Sequence, residues 1–144
     1  MEWRFLTHGE AETEQLGADL APTLSPGDVL AYRGGMGAGK TAFTRGLARG
    51  LGLPEEEVSS PTFALVNEYR GEDSILYHFD MYRVEDYDSL YSTGFFDYLD
   101  AGAILAIEWS ENIAEFLPKE TVVVEFSYIE GEEDGREIVI TRPQ

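Results

Sequence analysis

The sequence predicts an α/β fold: a mixed β-sheet flanked by helices, with antiparallel strands toward the C-terminus. Three observations carry this. Short apolar, β-prone runs alternate with segments of helical apolar spacing along the chain. One junction between them, Gly34-Gly35-Met36-Gly37-Ala38-Gly39-Lys40-Thr41, fills every fixed place of the phosphate-binding pattern GxxxxGK[ST]. The last quarter of the chain reads as two strands in a hairpin. The sheet is therefore expected to be P-loop NTPase-like.

The loop sits in its required frame. Asp28 to Tyr32 before it is short and apolar, and Lys40 to Leu51 after it places Phe43, Leu47, Ala48 and Leu51 at helical spacing. Each residue type has a physical task. The glycines let backbone N–H groups approach phosphate oxygens with no Cβ in the way, and the new helix aims its positive dipole end at the same place. Lys40 is a mobile charge for the β and γ phosphates, and the Thr41 hydroxyl is placed to bind Mg²⁺.

The other elements follow in order. Trp3 to Leu6 predicts an opening strand, and a helix runs from Glu10 to Leu24 with Leu16, Leu20 and Leu24 on one face, closed by Ser25-Pro26-Gly27. Glu10 and Glu12 in its first turn suit the helix dipole. Gly50 to Pro54 stops the loop helix, and Glu55-Glu56-Glu57 is an acidic turn. Pro61 fixes an extended segment leading into a strand from Ala64 to Tyr69. Within that segment Thr62 has the chemistry either to complete a Mg²⁺ shell or to sense a γ phosphate.

Gly71-Glu72-Asp73 turns the chain into a strand from Ser74 to Asp80, followed at once by Tyr82 and Arg83. Carboxyl ends of strands face the nucleotide in such sheets, so Asp80 is the candidate magnesium-site acid. His78 shares the face of Asp80 and reads as a packing residue. Glu85 to Leu99 predicts one or two short helices broken at Gly94, with Tyr87, Tyr91, Phe95, Phe96 and Tyr98 in the core. Ala103 to Ile107 is apolar without alternation, a buried strand ending in Glu108-Trp109. Glu108 either orients or deprotonates an attacking water, or binds Mg²⁺, or caps a helix from Ser110 to Leu117. Glu120 to Tyr128 and Arg136 to Thr141 form the closing hairpin across the acidic loop Ile129 to Gly135.

Composition narrows the function classes. The 144 residues, 43% of them hydrophobic, fit one domain spanning residues 1–144 with a core of its own. No apolar run approaches the roughly 18 residues of a membrane span, and no secretory leader is visible. The absence of cysteine excludes disulfides, thiol catalysis and thiolate metal sites, and a cytoplasmic location is inferred. Net charge is −18, from 28 acidic against 10 basic residues. Such a surface repels nucleic-acid phosphates, so the chain alone is expected not to bind tRNA tightly.

Four stretches, Gly37-Ala38-Gly39-Lys40-Thr41, Ser60-Pro61-Thr62-Phe63, His78-Phe79-Asp80-Met81-Tyr82-Arg83 and Glu108-Trp109-Ser110-Glu111, occur in an order and at separations that resemble the TsaE (formerly YjeE) family. The resemblance covers essentially the whole chain. It implies a P-loop ATPase, weakly active alone, that uses ATP and Mg²⁺ and works with the TsaB and TsaD proteins. Together these make the threonylcarbamoyl modification of the tRNA adenosine next to the anticodon. It also implies that Gly35, Met36, Gly37, Ala38, Gly39, Lys40 and Thr41 hold the phosphates, that Thr41 and Glu108 hold the metal, and that Thr62 is switch-like. Lys40, Asp80 and Glu108 are the implied catalytic set, while Glu10 and Arg136 line the base and sugar side, Arg136 over adenine. Gly35 departs from the family, which commonly has an acidic residue there.

Three rivals differ in visible features. A small-molecule P-loop kinase would close an Arg-rich lid over the phosphates, whereas the eight arginines here are scattered. A GTPase would carry an Asn-Lys-x-Asp run, which neither Lys40 nor Lys119 supplies. A purely structural acidic adaptor would be indifferent to Lys40.

Overall fold

A run such as Val29-Leu30-Ala31-Tyr32 is stable as a strand only where both faces are covered, and it lies at the middle of the sheet. The computed structural model describes residues 1–35, 37–59 and 66–143. Its strands are β1 (Glu2–Thr7), β2 (Val29–Arg33), β3 (Val66–Arg70), β4 (Ile75–Asp80), β5 (Ile104–Glu108), β6 (Val122–Ile129) and β7 (Glu132–Thr141). They form one sheet in the order β1-β7-β6-β2-β5-β4-β3. The central strands β6, β2, β5 and β4 are parallel. Antiparallel pairs close both edges, β3 on β4 at one side and β6, β7 and β1 at the other.

Alternation along the buried strands builds two apolar layers. Leu30 and Tyr32 of β2 and Ile104 and Ala106 of β5 face helices α1 (Glu10–Leu20) and α2 (Lys40–Gly50), where Leu20, Phe43 and Leu47 meet them. Val29, Leu105, Ile107, Tyr77 and Phe79 face the other way, against Leu90 of α3 (Tyr87–Ser92), Phe95 of α4 (Phe95–Leu99) and Ile113 of the 3₁₀ segment Ser110–Phe116. Helices on both faces of a mostly parallel sheet are the predicted α/β architecture.

The differences from the sequence reading have local causes. The first helix ends at Leu20, not Leu24, and passes into a 3₁₀ turn at Ala21–Thr23 because Pro22 lacks the N–H an α-turn needs. The last strand opens at Glu132, four residues before Arg136. Gly131, at φ 85°, makes a tight turn in what reads as an acidic loop. Pairing of Ile129 with Glu132 and of Tyr128 with Arg136 leaves Glu133, Asp134 and Gly135 as a bulge. Tyr87 and Tyr91, expected in the core, are 51% and 65% exposed. They stack on each other and lean on Phe96, so the ring faces are partly covered although the side chains are outside the core. The Met36 and Thr62 expectations, and the start of the strand placed at Ala64, lie outside the described residues.

Helices α1 and α2 approach through small residues. A Cβ built at Gly46 would overlap the Glu14 carbonyl oxygen, and one at Gly17 would overlap that of Phe43. Glu14 then reaches Arg45 at 3.6 Å and Arg49 at 3.4 Å across the seam. Because the obstacle at Gly46 is backbone, it cannot yield by changing rotamer. Gly46→Ala is expected to lower the unfolding free energy by about 1–3 kcal/mol or more in a urea titration, and unchanged stability would contradict this packing.

Candidate functional site

The phosphate-loop pattern is carried from the carboxyl end of β2 to the first turn of α2. Under it, Tyr32, Phe43 and Phe126 form an edge-to-face trio with centroids 5.5–5.8 Å apart. Polar bonds then lock the start of α2. Thr44 Oγ1 donates to the Lys40 carbonyl at 2.8 Å, so the Tyr32 hydroxyl, 2.8 Å from the same Oγ1, must be the donor to it. Burial pushes the Tyr32 pKa well above its ordinary range, which keeps that proton in place. The loop backbone takes left-handed values at Gly37 (φ 74°) and Gly39 (φ 106°), the latter capping α2. Lys40 follows, buried, with Nζ 5.8 Å from the Trp109 ring centroid.

Parallel register brings the two carboxylates to the same place. Asp80 pairs with Glu108 across β4 and β5, and strand alternation points both toward the face that carries α2. Asp80 Oδ1 accepts the Tyr82 N–H at 2.8 Å, and its other oxygen has no hydrogen-bond partner among the described residues. Glu108 is buried, and its Oε2 lies 2.6 Å from Nε2 of the fully buried His78. That approach is off the angle of an aligned hydrogen bond, so neither atom is satisfied in the strict sense. Trp109 follows at φ 58°, the one non-glycine residue with positive φ among the described residues. Backbone strain of this kind costs about 1–3 kcal/mol and clusters at functional sites. It turns the ring to Tyr82 (4.9 Å) and over Lys40.

These elements enclose a cavity of about 1130 Å³. It is lined by Gly37, Gly39, Lys40 and Thr41 of the loop and α2, by Asp80, Arg83 and Glu108 at and after the ends of β4 and β5, and by Glu10 and Arg136. Loop amides, a buried lysine, a threonine hydroxyl and paired carboxylates are groups that handle a phosphate ester with a divalent cation.

A sequence model of the family described as "Threonylcarbamoyl adenosine biosynthesis protein TsaE" matches residues 7–138. The chain belongs to the TsaE family. It is 38% identical over 141 residues to the "tRNA threonylcarbamoyladenosine biosynthesis protein TsaE" of Bacillus subtilis, covering 98% of this chain and 85% of the relative. The protein of the same description from Treponema pallidum is 34% identical, covering 95% of this chain and 98% of the relative. The crystal structure of YdiB from Bacillus subtilis superposes with a TM-score of 0.79 at 32% identity, covering 99% of this chain and 86% of that one.

Of the residues singled out from the sequence, Glu10, Gly37, Gly39, Lys40, Thr41, Asp80, Glu108 and Arg136 line the cavity. Gly35 and Ala38 belong to the loop without lining it, Gly35 exposed and Ala38 fully buried. Met36 and Thr62 are outside the described residues. The sequence reading missed a wall made by Ser89, Ser92 and Thr93 of α3 and its C-cap. Their i, i+3, i+4 spacing is the signal that could have found them. That short helix is fixed by a capping box in which the Ser89 N–H, then its hydroxyl, hold the Asp86 carboxyl below its ordinary pKa.

Arg136 links the closing hairpin to the loop. Its guanidinium lies 4.6 Å over the Tyr128 ring and donates to the Gly37 carbonyl at 3.1 Å, as well as to the carbonyls of Glu133 and Gly135 within its own bulge. The bulge thus aims Arg136 at the loop. Arg136→Ala is expected to speed amide exchange in the loop around Gly37 to Gly39 roughly tenfold, the scale of one lost charged hydrogen bond, with the central-strand amides unchanged. Equal exchange in the loop would contradict the tether.

Proposed function

We propose that this chain binds ATP with Mg²⁺ and hydrolyses it as the ATPase component of threonylcarbamoyladenosine formation on tRNA. In this reading it acts in the cytoplasm with the TsaB and TsaD proteins. The observation that carries the reading is the convergence, in one cavity, of the phosphate loop with Lys40, Thr41 and the register-paired Asp80 and Glu108. Family membership supports the pathway, since the relatives are described as tRNA threonylcarbamoyladenosine biosynthesis proteins.

The donor set fits magnesium. Among the described residues no group of three His, Cys, Asp or Glu side chains could cage a metal. Mg²⁺ asks for less, one or two protein oxygens with phosphate oxygens and waters completing an octahedron. Thr41 and Glu108 would hold it, with Asp80 beside them. When bound, the ion supplies charge neutralisation on the β and γ phosphate oxygens.

The remaining work belongs to the chain. The loop amides and the N-terminus of α2 bind the phosphates, and Lys40 can swing from the Trp109 face to the β and γ oxygens. Asp80 and Glu108 each keep one oxygen for metal-bound water or for the attacking water. Arg83, exposed, lines the same cavity. A cation that neutralises charge developing on the γ phosphate contributes about 10³–10⁵ fold, and an exposed arginine is held for that task only when something packs over it. Docking on a basic surface of a tRNA-bound protein suits a chain of net charge −18 that does not hold tRNA by itself.

Lys40→Ala is expected to abolish most ATP binding in calorimetry, since the loop keeps its amides but loses its buried cation. Wild-type affinity in that variant contradicts the phosphate-site assignment. The ATPase rate is expected to rise on adding the TsaB and TsaD proteins, while the isolated chain shows no tight tRNA binding at physiological salt. No stimulation, or tight tRNA binding alone, overturns the partner-dependent reading.

A further inference from the structure

Strand alternation and register set three polar side chains against one another at the end of the sheet. His78 and Asp80 of β4 and Glu108 of β5 face the same side, and His78 pairs in register with Ala106, two residues before Glu108. Glu108 is thus the diagonal neighbour of His78 on that face. The imidazole is 0% exposed, its Nε2 is 2.6 Å from Glu108 Oε2, and its ring centroid is 6.2 Å from that of Tyr32. The Tyr32 hydroxyl is committed to Thr44.

Among the described residues neither ring nitrogen of His78 has an aligned hydrogen-bond partner, and neither has Glu108 Oε2. A carboxylate oxygen taken out of water is strongly disfavoured unless a donor faces it. Nε2 of His78 stands 2.6 Å from Glu108 Oε2. Asp80 offers the comparison within the same site: one of its oxygens is held by the Tyr82 N–H, and the other has no partner among the described residues.

We propose that His78 is a positioning residue for Glu108. A small rotation of the carboxyl group from the 2.6 Å contact seen here aligns Nε2–H as a donor to Oε2, and so holds Oε1 toward the cavity and a Mg²⁺ or a water on it. His78 packs as the sequence suggests, fully buried and edge-on to Tyr32, and the proposal adds a directional role to that packing. The inference rests on the reading of Glu108 as a metal- or water-binding carboxylate. Partners that orient a metal-binding carboxylate typically contribute 10–100 fold in metal affinity.

The experiment compares His78→Gln, His78→Asn, His78→Leu and Glu108→Gln with the wild type. Gln carries an amide nitrogen near the place of Nε2; Asn reaches only to that of Nδ1; Leu has no donor. Mn²⁺ binding to each protein in the presence of ADP is read by electron paramagnetic resonance. ADP affinity in EDTA, melting temperature, and kcat and KM for ATP are read beside it. Expected are near wild-type Mn²⁺ affinity for Gln and a loss of about 10–100 fold for Asn and Leu. ADP affinity in EDTA should be unchanged, and kcat should fall in Asn and Leu far more than KM rises.

Wild-type Mn²⁺ affinity in Asn and Leu, with Glu108→Gln weakened, overturns the role of His78 and leaves the reading of Glu108 standing. Wild-type Mn²⁺ affinity in Glu108→Gln overturns that reading and this inference with it. Should His78→Leu fail to fold, Gln against Asn decides alone, and equal Mn²⁺ affinity in those two overturns the proposal.

Discussion

Parallel pairing of β2, β5 and β4 is the constraint on which the site depends. Parallel neighbours end on the same edge of a sheet, so the phosphate loop leaving β2 and the carboxylates ending β4 and β5 meet without any long excursion of the chain. The pairing is sustained by burial on both faces: every residue of β5 is buried, and β2 is buried through Tyr32. Two bonds transmit that rigidity to the site. Ser110 Oγ donates to the Tyr32 carbonyl at 2.9 Å, tying the segment after Glu108 to β2. The Tyr32 hydroxyl ties β2 to the first turn of α2, which carries Lys40 and Thr41.

Electrostatics set what such a cavity accepts. A bare triphosphate entering beside Asp80 and Glu108 meets like charge, and Lys40 with the α2 dipole offsets only part of it. In the proposed reading, a divalent cation between phosphate and carboxylate would change the sign of that interaction. The single buried lysine and the carboxylates are therefore complementary parts of one site. The net charge of −18 is the ground for the proposed docking on a basic protein face rather than on nucleic acid.

Most of the candidate site's lining was legible because its residues are marked by local pattern. The loop is read from spacing, and Asp80 and Glu108 from their places at the ends of apolar runs. What escaped the sequence reading is non-local or depends on orientation. The pairing of β1 with β7 joins the two ends of the chain, and nothing within Glu2 to Thr7 encodes its partner. The bulge that aims Arg136 hides in a run of acidic residues whose charge suggests a loop, although exposed strand tolerates charge well. Tyr87 and Tyr91 signal burial by composition, but helix α3 turns them outward. His78 could be placed on the face of Asp80 by period, whereas its contact with Glu108 exists only once β4 and β5 are in register.

The central claim is that the cavity at the carboxyl ends of β2, β4 and β5 is a metal–nucleotide site. A crystal structure with a non-hydrolysable ATP analogue and Mn²⁺, the metal located by anomalous scattering, tests it most directly. The account predicts phosphates against the amides of Gly37 to Thr41, and the Mn²⁺ peak between Thr41 and the Asp80–Glu108 pair. Nucleotide bound elsewhere, or phosphates in the loop with the metal away from both carboxylates, would contradict it.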